Sequence, residues 1–347
     1  MNERGNSHPF SIAYSDGFDD LLRQRHLTLA VTTYQAGRLV LLRPHAGALN
    51  SHYLSFNRPT GLAISETALA IGTGTEIQTF GLSQAALGDC PPGTDRVFAL
   101  RNVNITGNIE VHDLAWAGDE LWAVNTGFNC LCTFDHAHSF VPRWRPPFIH
   151  KFSAADHCHL NGLAIRNARP TTVTALGTSD EPGGWRANKA TGGVLIDVPS
   201  GEMISTGLSM PHSPRWHQDR LWVLESGQGS LGVVDVGSGQ VETVVRLPGF
   251  TRGLAFSGSL AFVGLSRVRE SAVFGGLPIT NSGKERQCGI WVVDIETGQV
   301  LAALVFDGEV HELFAVELIH GSVSPELIMS GSHHDALSRT FIVPQQA

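Results

Sequence analysis

Three histidines recur at nearly equal distances along the chain. His112 and His212 are 100 residues apart, and His311 follows 99 residues later. Each stands at the start of a short apolar segment, so in a chain of equal repeats their imidazoles would meet at one place. Three convergent neutral imidazoles with an open position are the ligands of a catalytic zinc ion. The spacing therefore predicts a divalent transition metal, with zinc first and iron, manganese or copper as alternatives. A ring of histidines that binds an anion or water without a metal is the other interpretation.

Four further residues could act on a substrate beside these histidines. Arg252 opens another apolar segment and would hold a carboxylate or a developing oxyanion. Tyr34 could act as a general acid or base, and His159 as a general base. Glu312, like Asp113, directly follows a candidate ligand and would either orient its imidazole or form a salt bridge between repeats. The predicted catalytic residues are Arg252, Tyr34, His159 and Glu312.

Residues for substrate binding are expected at the starts of the apolar segments and in the loops above them. The loops 179–192 and 267–286 are long for a compact domain, and loops of that length are usually functional or disordered. Glu225 ends a predicted second strand on the same side. The predicted substrate-binding residues are Thr60, Asn161, Trp185, Arg186, Arg269 and Glu225.

The elements that must position these side chains are repeated units of about fifty residues. Each unit starts with a segment such as Asn161-Gly-Leu-Ala-Ile or Arg252-Gly-Leu-Ala-Phe and continues with three more strand-like segments separated by turn residues. Four strands per repeat at this period are typical of a β-propeller, in which each repeat is one blade. The first residues of the six units are Thr60, His112, Asn161, His212, Arg252 and His311.

The sequence thus predicts an all-β fold, a six-bladed β-propeller. Strands near 28–33, 38–43 and 51–56 precede the first unit and would complete the blade that begins at His311, which closes the ring between the terminal strands. A further strand is expected at 338–343, so seven blades stay an alternative. The expected organisation is an N-terminal segment, 1–26, and a single propeller domain, 27–347.

Composition excludes several other classes of protein. The 347 residues carry a net charge of −8 with no block of Lys or Arg, which argues against nucleic-acid or anionic-membrane partners. No apolar run approaches the roughly 18 residues of a membrane span. The five cysteines form no C-x-x-C motif, and the first twenty residues lack the apolar stretch of a signal peptide. We expect a cytoplasmic protein.

Five strings resemble a bacterial family of uncharacterised conserved hypothetical proteins that are propeller-like, some of them attached to tetratricopeptide repeats. The resemblance covers nearly the whole chain and implies the fold but no particular activity. The strings are Tyr34-Gln-Ala-Gly and the segments 141–149, 159–165, 207–217 and 247–258.

A second resemblance concerns the site alone. The three histidines are similar to the zinc ligands of peptidyl-hydroxyglycine alpha-amidating lyase, a six-bladed propeller whose metal is held by three histidines and assisted by a Tyr and an Arg. This resemblance implies a metal at His112, His212 and His311, with Arg252 and Tyr34 assisting. The absence of a secretory signal and of a disulfide framework departs from that enzyme, so its peptide substrate is not implied.

Together these features predict a metal-dependent lyase, isomerase or hydrolase. Its small polar or carboxylate-bearing substrate would bind at the mouth of the central channel. The alternative is a non-catalytic propeller that binds a protein partner or a small ligand on the same face. A carbohydrate lyase or binder is a third interpretation, and it would require an open aromatic groove.

Overall fold

The fold is a ring of six β-sheets. The computed structural model describes residues 10–267, 275–281, 283, 285–330 and 334–343. Within these residues the strands form six sheets of four or five strands, and all pairs but one are antiparallel. The first strands of the six sheets contact one another in cyclic order around a central channel. The predicted six-bladed β-propeller is therefore confirmed.

The strands are short, as expected for segments bounded by Gly, Asp and Ser turns. In chain order they are β1 Ile12–Tyr14, β2 Leu27–Thr33, β3 Arg38–His45, β4 Ala48–Ser55, β5 Leu62–Ile64, β6 Ala68–Gly72, β7 Glu76–Leu82, β8 Arg96–Ile105, β9 Val111–Ala117, β10 Glu120–Asn125, β11 Cys130–Thr133, β12 Val141–Trp144, β13 Leu160–Arg166, β14 Arg169–Ala175, β15 Gly193–Asp197, β16 Met203–Leu208, β17 Pro211–His217, β18 Arg220–Glu225, β19 Ser230–Val234, β20 Val241–Arg246, β21 Phe250–Ser257, β22 Leu260–Ser266, β23 Gly289–Asp294, β24 Val300–Phe306, β25 Val316–His320 and β26 Pro325–Ile328.

Helices are few and short among the described residues. None of them is long and apolar enough to cross a membrane. They are α1 Phe18–Gln24, α2 Pro278–Asn281 and α3 His334–Arg339, with 3₁₀ turns at Gln84–Asp89 and Gly184–Asn188.

Blade 1 joins the two ends of the chain. Its first strand, β25, comes from near the C-terminus and pairs with β2, which continues into β3 and β4. The other blades follow in chain order: blade 2 is β5 to β8, blade 3 β9 to β12, blade 4 β13 to β16, blade 5 β17 to β20 and blade 6 β21 to β24. Strands from both ends of the chain thus close the ring in one blade, as the sequence predicted.

The terminal segments pack on the outside of the ring. In the described part of the N-terminal segment, β1 pairs with β24, and Phe18 and Leu22 of α1 are buried in the core. Strand β26 pairs with β8 in parallel. The prediction of a strand at 338–343 was wrong, because α3 runs to Arg339 and the described residues after it form no strand. The tail therefore adds no seventh blade.

Polar side chains link neighbouring blades at the start of the first strands. In each case a hydroxyl or amide of one blade donates a hydrogen bond to a backbone carbonyl near the start of the next blade. The pairs are Thr126 to Leu160, Asn161 to Pro211, Ser226 to Thr251 and Ser266 to Leu313. In three of these pairs the residue after the acceptor lines the channel pocket, namely His212, Arg252 and Phe314. The bonds therefore help to fix the register of those first strands.

Candidate functional site

A cavity of about 400 Å³ lies where the first strands begin. Residues from all six blades or their connections line it, which is expected at the mouth of a propeller channel. Nine residues predicted from the sequence line this pocket: Tyr34, Thr60, His112, His159, Trp185, Arg186, His212, Arg252 and Glu312.

His112 and His212 are held in the same way by their own blades. Nδ1 of His112 lies 3.0 Å from the Glu110 carbonyl and 2.8 Å from the Thr126 hydroxyl. Nδ1 of His212 lies 3.0 Å from the Met210 carbonyl and 2.8 Å from the Ser226 hydroxyl. A carbonyl can only accept, so Nδ1 carries the hydrogen in both rings. Each Nε2 is left with its lone pair.

Both imidazoles are neutral at physiological pH. Burial lowers the pKa of His112 well below its usual value, and the nearby His159 and Arg252 lower it further. Burial, followed by the charge of Arg252, does the same for the pKa of His212. Two neutral rings in register, with fixed tautomers, can accept hydrogen bonds from a ligand or donate a lone pair to a metal.

His159 adds a third imidazole and belongs to an Asp–His pair. Its Nδ1 donates to Oδ2 of Asp156 at 2.7 Å, and Nε1 of Trp185 donates to the same oxygen at 2.8 Å. Burial opposes ionisation of Asp156, but these hydrogen bonds outweigh it and lower the pKa of the carboxyl. The ring of His159 packs against His112 and Trp185, with centroids 4.6 and 4.5 Å away. The carboxylate therefore fixes His159 with Nε2 available as a base.

Arg252 is a cation that forms no ion pair with any described residue. Its Nη2 is buried and makes no hydrogen bond to any described residue. The guanidinium stacks on Phe314, with Cζ 3.4 Å from the ring centroid. Burial lowers the pKa of Arg252 to about 10, while Glu312 and Asp113 act in the opposite direction. The group stays charged and is left with an unused donor.

Sequence reasoning missed several lining residues that obey a simple rule. In each blade the residue two places before the channel-facing position also lines the pocket. An extended backbone does not explain this, because Arg58, Glu110, His159 and Met210 have positive φ. Counting two residues back from Asn161 predicts His159, and the same count holds in the other blades. The lining residues missed through this are Arg58, Glu110, Met210 and Phe250.

Three predicted residues do not line the pocket. The Asn161 amide is consumed by bonds to Pro211 and Thr174, and the Glu225 carboxylate accepts from the Ser209 backbone. His311 lies outside the lining, where its carbonyl accepts from the Arg267 backbone. Arg269 lies outside the described residues.

The register of blade 1 explains the position of His311. Ser266 donates to the carbonyl of Leu313, so Phe314 takes the channel-facing position in that blade. The sequence alignment of His311 with His112 was therefore three residues out of register. Among the described residues, no group of three or more His, Cys, Asp or Glu is placed to hold a metal ion. The metal tripod expected from the resemblance to the lyase is not formed by the three predicted histidines.

Farther along the channel, a second charged cluster joins alternate blades. Nη1 and Nη2 of Arg215 contact the two carboxylate oxygens of Asp113 at 2.9 and 3.2 Å, and Nη2 lies 3.5 Å from Glu317. Burial raises the pKa of Glu317 to about 7. Of the two roles open to Asp113 from sequence, the structure shows the salt bridge between blades.

Fold and site together define a six-bladed propeller with a polar pocket at its channel mouth. The chain belongs to the family described as "Domain of unknown function (DUF4915)", whose model matches residues 16–328. This confirms the resemblance to an uncharacterised family; nothing found supports the attached tetratricopeptide repeats.

Comparisons beyond the family show the fold alone. None of the curated proteins matches the chain. Among solved structures it is similar to one titled "Crystal structure of Nidogen/Laminin Complex", with 9% identity, a TM-score of 0.55, and coverage of 85% of this chain and 99% of that one. A structure of the computationally designed Ika8 protein matches with 16% identity and a TM-score of 0.39, over 91% of this chain and 80% of that one.

Proposed function

We propose that this protein acts on a small carboxylate-bearing molecule at the mouth of its channel. The observation that carries the proposal is the buried Nη2 of Arg252, which makes no hydrogen bond to any described residue and borders an open pocket. A buried donor without a partner costs free energy, and a bidentate carboxylate would satisfy it. Arg58 and Arg186 also line the pocket, so that with Arg252 three arginines face two carboxylates, Glu110 and Glu312, and the excess of positive charge favours an anionic ligand.

The proposed chemistry is proton transfer by His159. Asp156 orients the ring and stabilises the imidazolium that forms when Nε2 takes a proton, as carboxylates do in other Asp–His pairs. Arg252 would stabilise the negative charge that develops on the substrate. This division of roles fits a lyase or an isomerase that removes a proton near a carboxylate.

The metal predicted from the sequence enters this proposal as a separate question. The Nε2 lone pairs of His112 and His212 are suitable donors, but the described residues offer no third ligand in place. We therefore assign no step to a metal. Elemental analysis of the purified protein, compared with the double variant His112→Gln/His212→Gln, tests directly whether these histidines bind a metal.

Calorimetric titration with pyruvate, malate and citrate tests the binding step. At least one of these carboxylates should bind. Arg252→Gln should weaken its affinity by about 10- to 100-fold, since a hydrogen bond to a charged group contributes about 1.5–3 kcal/mol. The matched control is Arg246→Gln, because Arg246 is exposed on β20 and its side chain donates to Gln228, outside the pocket. Equal affinity in Arg252→Gln, or no binding to the unchanged protein, would contradict the proposal.

Solvent exchange tests the catalytic step. In D₂O, a bound carboxylate with an acidic C–H should gain deuterium in the presence of the unchanged protein, as followed by proton NMR. His159→Asn should keep the affinity and lose the exchange. Binding without exchange would instead favour the non-catalytic alternative, a propeller that only binds its ligand.

A further inference from the structure

Outside the channel pocket, a serine, a histidine and an aspartate lie in hydrogen-bonding order. Ser153 and His157 belong to the segment between β12 and β13, and Asp180 follows β14. The Ser153 hydroxyl lies 3.5 Å from Nε2 of His157, and Nδ1 of His157 lies 3.1 Å from Oδ1 of Asp180. No sequence motif pointed to these residues as a group.

The arrangement fixes the imidazole as a base. A carboxylate can only accept, so Nδ1 of His157 carries the hydrogen and Nε2 presents its lone pair to Ser153. His157 is buried, and its backbone N–H donates to Asn129. Asp180 is held in turn by the backbone N–H and Nδ1 of His150. The serine contact is long, as is common in ligand-free sites.

Donors for a developing oxyanion are close by. The backbone N–H groups of Ser153 and Ala154 make no hydrogen bond to any described residue. The N–H of a nucleophilic serine and that of a neighbouring residue are typical donors to the tetrahedral intermediate of acyl transfer.

A cavity is lined by Phe152, the residue before the serine. Phe152 is 47% exposed and packs against Phe128 and Phe140, with ring centroids 5.3 and 6.2 Å away. The cavity has a volume of about 310 Å³, and its other lining residues are Cys130, Pro142, Arg143, Trp144 and Arg145. This surface fits a short aliphatic or aromatic acyl chain.

We propose that Ser153, His157 and Asp180 form a second catalytic site, which hydrolyses esters with small apolar acyl groups. This site is separate from the channel pocket and does not depend on the carboxylate-binding proposal.

The chemistry balances with water as the only co-reactant. Oγ of Ser153 forms a bond to the ester carbonyl carbon while its proton passes to Nε2 of His157. The bond to the alcohol then breaks, and the alcohol leaves with that proton. Water attacks the acyl-serine and gives a proton to His157, and the acid departs as Ser153 regains its proton.

A fluorophosphonate probe tests the serine in the full chain. The unchanged protein should be labelled at Ser153, identified by peptide mass spectrometry, and should hydrolyse p-nitrophenyl butyrate. Ser153→Ala should lose both, and Asp180→Asn should slow both by at least roughly 100-fold. The melting temperature of Ser153→Ala should be unchanged, which shows that the fold is intact.

Ser200→Ala is the matched control, because Ser200 is an exposed serine that bonds to Asp197 with no histidine beside it. It should keep both labelling and hydrolysis. An unlabelled Ser153 in the unchanged protein would overturn the proposal. Labelling of Ser153 that proceeds equally fast in Asp180→Asn would also overturn it, because the three residues would then not act as a unit.

Discussion

Arg215 and Arg252 lie in the same channel on the first strands of neighbouring blades, yet their surroundings are opposite. Arg215 makes two contacts to Asp113, donates to the carbonyls of Leu163 and Pro214, and lies near Glu317. Arg252 has only an aromatic ring beneath it and a buried donor without a partner among the described residues. One guanidinium is held by the fold, and the other keeps an unsatisfied donor at the channel mouth.

The electrostatics follow the same division. Burial opposes the charge of Arg215, but Asp113 and Glu317 outweigh it and raise the pKa of Arg215 above its usual range. Burial dominates at Arg252, and the pKa falls to about 10. Burial of a charge therefore costs free energy at the channel mouth, whereas carboxylates offset that cost deeper in the channel. An uncompensated cost of this kind is typical of a functional site.

Loss of Arg215 should have the largest effect on stability. Arg215→Ala leaves two carboxylates buried without their cation, and breaking a buried ion pair in this way costs about 3–5 kcal/mol. Urea unfolding measures the change, with Arg246→Ala as the control, expected to stay within about 0.5 kcal/mol. A loss below about 1 kcal/mol would show that Arg215 does not hold the blades together.

Glu317→Gln should alter how stability depends on pH. The raised pKa of about 7 means that the folded state binds the proton more tightly than the unfolded chain, whose usual value is 4.5. The stability this gives is present below pH 4.5 and is lost as the pH rises through 7. At pH 8, relative to pH 4.5, the variant should therefore gain about 3 kcal/mol over the unchanged protein. Parallel stability curves for the two proteins would contradict this.

The histidines at the channel mouth should change stability with pH in the direction opposite to that of Glu317. The lowered pKa values of His112 and His212 mean that the unfolded chain binds more protons, so stability is present above pH 6.5 and is lost as the pH falls. In the Glu317→Gln background, each should contribute a slope of about 1.4 kcal/mol per pH unit below 6.5. His212→Gln in that background should remove about half of the combined slope in urea unfolding. An unchanged slope would mean that His212 is protonated in the folded state.

The fold could be predicted because its information is local and repeated. Segments such as Asn161-Gly-Leu-Ala-Ile recur about every fifty residues, and their recurrence identifies the blades and the closure by terminal strands. The register within one blade is not local in this way. His311 and Phe314 are both near the start of β25, and the hydrogen bond from Ser266 to Leu313 decides between them.

The site was predictable only in part. A count of two residues back from the channel-facing position predicts His159 and would have given Glu110 and Phe250 as well. The positive φ of Glu110 and His159 means that strand periodicity is not the reason. The roles of individual residues depend on partners far away in sequence. Arg215 follows Asp113 by 102 residues, and Glu317 follows Arg215 by 102 residues. This spacing indicates a contact only once the ring arrangement of the blades is known.

The smallest expected change in the free energy of unfolding distinguishes the two arginines, because its sign differs between them. Arg252→Met replaces a guanidinium whose buried donor is unsatisfied with an apolar chain that can still pack on Phe314. Because no described carboxylate forms an ion pair with Arg252, the free energy of unfolding should rise by about 1 kcal/mol or stay level, whereas Arg215→Ala lowers it. The same variant should lose its affinity for carboxylates. A stability loss comparable to that of Arg215→Ala would show that Arg252 is structural, and the contrast between the two arginines would then fail.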